Sequence, residues 1–177
     1  MSDAPSVLAE LTELIWSQLR KDLSDLEPEE IDWRPLLQAN SINLIVRHLR
    51  IESQLQLESL ERARPVILEA SPEVKAFIDS VPLDFHRNLA EMEQFCIRFI
   101  ATLRTLTIDA IEQRGRVVYH DVPGQPSPSH FLGYHHAVHL AMHWGQIRSL
   151  RNLYRTSRGE QALFFPVNPT FTTRSTS

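Results

Sequence analysis

Four long stretches of this chain repeat apolar residues every three or four positions, while runs of alternating apolar and polar residues are scarce. That pattern commits the chain to amphipathic helices packed side by side. The first stretch, roughly Pro5 to Leu26, places Val7, Leu8, Leu11, Leu14, Ile15 and Leu19 on one face. The second starts at a cap on Asn40 or Ser41, whose side-chain oxygen can take up an orphan amide of the first turn, and runs to about Arg64 before Pro65. The third begins near Asp84 and lines up Phe85, Leu89, Met92, Cys96, Phe99 and Leu103. The last opens on Ser127 or Ser129 and reaches about Ser157. Between them, "SPEVKAFIDS" predicts a short helix, and "GRVVYHDVPGQPSPSH" predicts an extended excursion and a loop, because its glycines and prolines break the helical repeat. The expected architecture is all-α, a four-helix bundle in a single domain spanning residues 1–177.

Composition excludes several functions. With no apolar run of about 18 residues, no membrane span is expected. The N-terminal "MSDAPSVLAELTELIWSQLRKDL" is amphipathic and lacks a basic leading region, unlike a signal peptide. A net charge of −4 argues against general nucleic-acid or membrane-surface binding. The one cysteine, Cys96, can form no internal disulfide and no thiolate pair for zinc. A reducing cytoplasm is the expectation, and any metal ligands must be histidines or carboxylates.

Four of the eight histidines fall within "HHAVHLAMH", from His135 to His143. On a helix His139 and His143 project from one face a turn apart, the spacing by which one helix presents two imidazoles to a metal. They share that face with Leu132, Ile147 and Leu150, and His48 occupies a core slot of the second stretch, beside Leu44, Ile51 and Leu55. Three core-facing imidazoles need partners, and a divalent ion would satisfy them together. The alternative is ordinary packing of core histidines. A zincin-type protease is excluded because Leu140 stands where that motif needs its Glu. Glu52, four residues after His48, is the best internal base, or else a solvated or salt-bridged carboxylate. His135 is read as an outer-shell or mouth residue, and His86, His120, His130 and His136 as surface or capping histidines. Arg148, Arg151, Arg155 and Arg158 form a basic stripe, read either as cations complementing a helix C-terminus or as a clamp for carboxylate or phosphate, with Arg148 and Arg151 as the anion contacts.

"SINLIVRHLRIES", followed some ninety residues later by "HAVHLAMHWGQIRSLRNLY" and preceded by "DWRP", resembles the DinB-like superfamily, including its YfiT-type members. The resemblance implies an up-down-down-up bundle with a long crossover and makes His48, His139 and His143 the metal ligands. Trp144 departs from the basic residue or histidine the family usually has before its Gly-Gln pair, here Gly145 and Gln146. The lone cysteine makes the cytoplasm the expected location of such a protein, and the amount of apolar surface on the bundle makes a homodimer the expected assembly. By the resemblance, it would use Zn²⁺ or Ni²⁺, with a low-molecular-weight thiol as possible cosubstrate, to activate a thiol or water for transfer to a small-molecule electrophile. A non-catalytic, stress-associated metal-binding homodimer is the alternative, and a plain helical interaction module the third reading.

Overall fold

The computed structural model describes residues 4–62, 66–67, 72–114, 116–118 and 130–164. Helix α1 spans Ala4–Leu23 and buries Ala9, Thr12, Trp16, Leu19 and Leu23. This is a different face from the one the spacing suggested: Val7, Leu11 and Leu14 are exposed. Two apolar stripes lie side by side on α1. The structure turns inward the one bearing Trp16, which has the larger area to bury, and small Ala9, which lets Leu57 and Leu60 approach.

A five-residue helix, α2 (Pro28–Asp32), interrupts what reads as a linker, with Pro28 in its first turn and Glu27 and Glu30 forming a reciprocal capping box. Helix α3 spans Ile42–Arg62, and Ser41 Oγ accepts from the Leu44 amide at 3.3 Å. Helix α4 covers Pro72–Ser80, and α5 covers Phe85–Thr105 behind an Asp84 cap that accepts from the Arg87 amide at 3.0 Å. Met92, Cys96, Phe99 and Leu103 are its fully buried stripe. A further short helix, α6 (Ile108–Arg114), precedes α7, which spans Leu132–Ser157. Helix α7 stops at Gly159, whose φ of 75° admits the left-handed turn, so that the Gly159 and Glu160 amides return to the carbonyls of Thr156 and Arg155.

Three short strands, β1 (Val66–Ile67), β2 (Arg116–Val118) and β3 (His130–Phe131), form a small sheet with β1 parallel and β3 antiparallel to β2. The last two lie in the expected extended excursion; β1, α2 and α6 were not anticipated. The capping serines 127 and 129 and His120 lie outside the described residues, as do the side chains of His130 and His135.

The four long helices close a ring in which α1 packs on α5 and α7, and α3 packs on the same two. One core cluster gathers Trp16, Leu19, Ile45, Leu49, Met92, Leu140 and Ile147. A second gathers Ala9, Leu57, Leu60, Phe99, Leu103 and Ile111. Leu49 and Leu140 are the chain neighbours of His48 and His139, so the first cluster is the floor on which those histidines are set. Among the described residues no helix is long and apolar enough to cross a membrane.

Candidate metal centre

His48 from α3 meets His139 and His143 from α7 across the seam between the two helices. His139 Nε2 lies 3.0 Å from His48 Nε2 and 3.0 Å from His143 Nε2. The three rings stand edge to face, with centroids 4.6–4.9 Å apart. Among the described residues this is the one group of potential metal-ligand side chains whose donor atoms all fall within 4.8 Å of one another. His139 and His143 are half-buried, as their shared stripe with buried Ile147 requires, whereas His48 is exposed rather than in the core. The centre therefore sits at the surface of the bundle, where a solution ligand can reach it.

Proton counting tests whether a cation suits the site. His143 Nδ1 lies 2.8 Å from Gln146 Oε1, an acceptor, so Nδ1 carries the hydrogen and Nε2 presents a lone pair. His139 Nε2 can donate to His143 or accept from His48, but one nitrogen cannot do both while neutral. The trio must therefore either split one His139 hydrogen between two acceptors or set like against like at one contact. Protonation is a poor remedy: His48 is exposed as a whole residue, yet loss of water around its ring, and then the charge of His143, lowers its pKa to about 4, and desolvation lowers that of His143 although its Gln146 bond opposes this. A shared cation removes the conflict, because it takes a lone pair from each ring. The residues present fit a divalent metal.

Glu52 lies one turn beyond His48 and is only 9% exposed, with no hydrogen-bond partner for Oε2. Desolvation raises its pKa; the nearby Gln56 amide lowers it in part, although no hydrogen bond closes between them by geometry. Among the described residues no carboxylate joins the three-histidine group, which leaves Glu52 outside it. Because its folded pKa is above that of the unfolded chain, its stabilising contribution is whole below about pH 4.5 and is lost as pH rises through the folded value. His48 and His143 act in the opposite sense, losing theirs as pH falls from 6.5 toward the folded value, about 4 for His48. Glu52→Gln is thus expected to raise the melting temperature of metal-free protein at about pH 8 and to leave it nearly unchanged at about pH 4. Thermal melts across that range check it, and a lower midpoint at pH 8 would mean the carboxylate is paired after all.

His136 is not a surface residue: it is 1% exposed, with its ring 4.3 Å from that of Phe99 and Nε2 3.8 Å from Cys96 Sγ. The signal was in the sequence, since His136, Leu140, Ile147 and Arg151 share a second helical stripe, all of it buried. Cys96 is sealed in the same layer, its thiol pushed up to about 12 by burial.

The arginine stripe faces protein carboxylates. Arg151 donates through Nε to Glu30 Oε1 at 2.9 Å and through Nη1 to Asp25 Oδ1 at 2.8 Å and the Asp22 carbonyl at 2.7 Å. Arg148 donates to Asp22 Oδ2 at 2.6 Å and stacks on Trp144 and Phe164. Trp144 Nε1 donates to the same Asp22 oxygen at 2.6 Å, which gives the departure at this position a role in joining α7 to α1. Arg155 pairs with Glu160, and Arg158 with Glu27 and Glu160. The anion contacts expected of Arg148 and Arg151 thus give way to structural ion pairs: their main donors are already spent on carboxylates that sequence distance conceals.

No curated protein and no solved structure matches this sequence. A family model described as the DinB superfamily matches residues 11–147, from α1 through all three histidines. That match covers well over half of the chain, and members of the superfamily commonly bind a divalent metal. By this match, the chain belongs to the DinB superfamily.

Proposed function

We propose that this protein holds Zn²⁺ or Ni²⁺ through His48, His139 and His143 and activates a thiol or water for transfer to a small electrophile. The convergence of three Nε2 atoms at the bundle surface carries this reading. When bound, such an ion supplies acidity, lowering the pKa of a thiol or water that reaches it. The chain's own residues do the rest. Gln146 holds His143 in the tautomer that offers Nε2, exposed His48 leaves the approach open, and Glu52 stands one turn behind as the proton acceptor. Cys96 cannot be the nucleophile, since a buried thiol of such high pKa is almost wholly protonated near neutrality. The nucleophile therefore comes from solution, as a low-molecular-weight thiol or water.

An up-down-down-up course belongs to the same reading. Arg50–Glu91 and Glu61–Arg98 run in the same order along α3 and α5. Arg20–Glu93 and Glu13–Arg104 run in opposite order along α1 and α5, which supports antiparallel packing there.

A non-catalytic homodimer is the second reading, favoured by the exposed Val7, Leu11 and Leu14 stripe of α1. Thiol-dependent turnover by metal-loaded protein would remove it. The deciding experiment for the metal is elemental analysis of untagged protein. About one equivalent is expected in wild type and almost none in His48→Ala or His143→Ala; equal metal in all three would defeat the assignment.

A further inference from the structure

The histidine stripe of α7 does not end at the metal centre. His139, His143, Gln146, Leu150 and Leu153 follow one another at spacings of four, three, four and three, so they line one face of the helix. Beyond the histidines that face borders an open cleft of about 620 Å³ between α7 and the segment leading into α3. Ile45, Met142 and Leu153 give it apolar walls, while Asn40, Gln146 and Ser149 supply amide and hydroxyl groups. None of the described residues that line it is ionisable. Gln146 belongs to both places, since it lines the cleft and its Oε1 accepts from His143 Nδ1.

The occupant follows from these features. A volume within the roughly 300–1,000 Å³ of ordinary ligand pockets suits a small molecule. With no charged group among the described lining residues to pair with an ion, the cleft favours an uncharged occupant, which gives up the least hydration against its apolar walls. The mixture of amide and hydroxyl groups on apolar walls suits a body that is mostly apolar and carries one carbonyl or amide.

We propose that this cleft is the specificity subsite of the metal centre: it receives the neutral, largely apolar body of a carbonyl- or amide-bearing substrate whose reactive end lies along α7 at the three histidines. The proposal rests on the functional reading above. It makes the cleft select the electrophile, while the histidines and what they bind govern the nucleophile.

Gly145 supplies the test. A Cβ added there meets nothing within 4 Å, so a leucine side chain can extend from the cleft wall without moving the backbone. Leucine is also the better helix former, which protects the fold. Untagged full-length protein is titrated with the neutral naphthyl ketone 6-propionyl-2-dimethylaminonaphthalene, followed by its fluorescence, and separately with Zn²⁺. Wild type is expected to bind one probe per chain. Gly145→Leu should weaken probe binding tenfold or more with Zn²⁺ stoichiometry unchanged. Ile97→Ala, which trims an exposed apolar residue of α5, should bind the probe as wild type does. Unchanged probe affinity in Gly145→Leu, or an equal loss in Ile97→Ala, would overturn the proposal. So would a halving of the sedimentation mass in Gly145→Leu, since a second copy would then be the occupant of the cleft. Absence of Zn²⁺ binding in wild type with the expected probe response would overturn the metal reading and uphold the cleft as a ligand site.

Discussion

Zn²⁺ is expected to stabilise the wild-type protein against heat, and alanine at His139 to abolish that stabilisation. A ligand at a hundredfold excess over its dissociation constant stabilises the folded state by about 2.7 kcal/mol. For a chain of 177 residues that is about 5–10 °C in melting temperature. His139 is the most sensitive of the three positions because its Nε2 is the contact common to both others. With it gone, His48 and His143 offer two ligands from different helices with nothing between them. The metal-free variant should melt no lower than metal-free wild type by more than the loss of a half-buried ring implies, since the substitution also removes a crowded nitrogen that a single shared hydrogen satisfies poorly. Scanning fluorimetry with and without Zn²⁺ measures both quantities. A shift in His139→Ala as large as in wild type would place the ion elsewhere.

The other large effect lies some distance from the chemistry. Glu30→Ala should destabilise the fold by about 3–5 kcal/mol, because it leaves the Arg151 guanidinium buried without its innermost carboxylate. The two side chains are 3% and 4% exposed, so water cannot replace the lost partner. Asp25 remains within reach of Nη1, but it is an exposed residue and a weak substitute. The expected fall in melting temperature is on the order of 10 °C. Replacing both partners by apolar residues, in Glu30→Leu/Arg151→Met, should recover much of the loss, as paired removal leaves no orphaned charge. If the single variant melts as wild type does, the pair contributes nothing to α7 docking. Such docking bears on the metal centre, because Arg151, Arg148 and Trp144 fix on α1 and α2 the same helix that presents two of the three ligands.

These two effects divide along a physical line. The histidine trio was largely readable in the chain because a helix converts a spacing of four into a shared face, and His139 and His143 lie on one helix. His48 was placed by its slot in the apolar repeat and by the family resemblance, although the structure leaves it more exposed than that slot implied. The helix starts at Ser41 and Asp84 were equally local, since a cap involves only the next three residues. What escaped was everything decided by a partner far along the chain. Local spacing showed that four arginines form a stripe, but not that Glu30, 121 residues away from Arg151, would be folded beneath it. It showed one apolar stripe on α1, but not that the neighbouring face bearing Ala9 and Trp16 would be the one turned against α5 and α7. It gave His136 no role, though Phe99 and Cys96 on α5 enclose it. The sequence by itself determined the four long helices and the face on which the H-x3-H pair lies, because backbone periodicity is a short-range property. Only the tertiary structure decided which charges are neutralised and which apolar faces are buried, because both depend on what packing brings opposite, and a repeat along one helix carries no record of its neighbour.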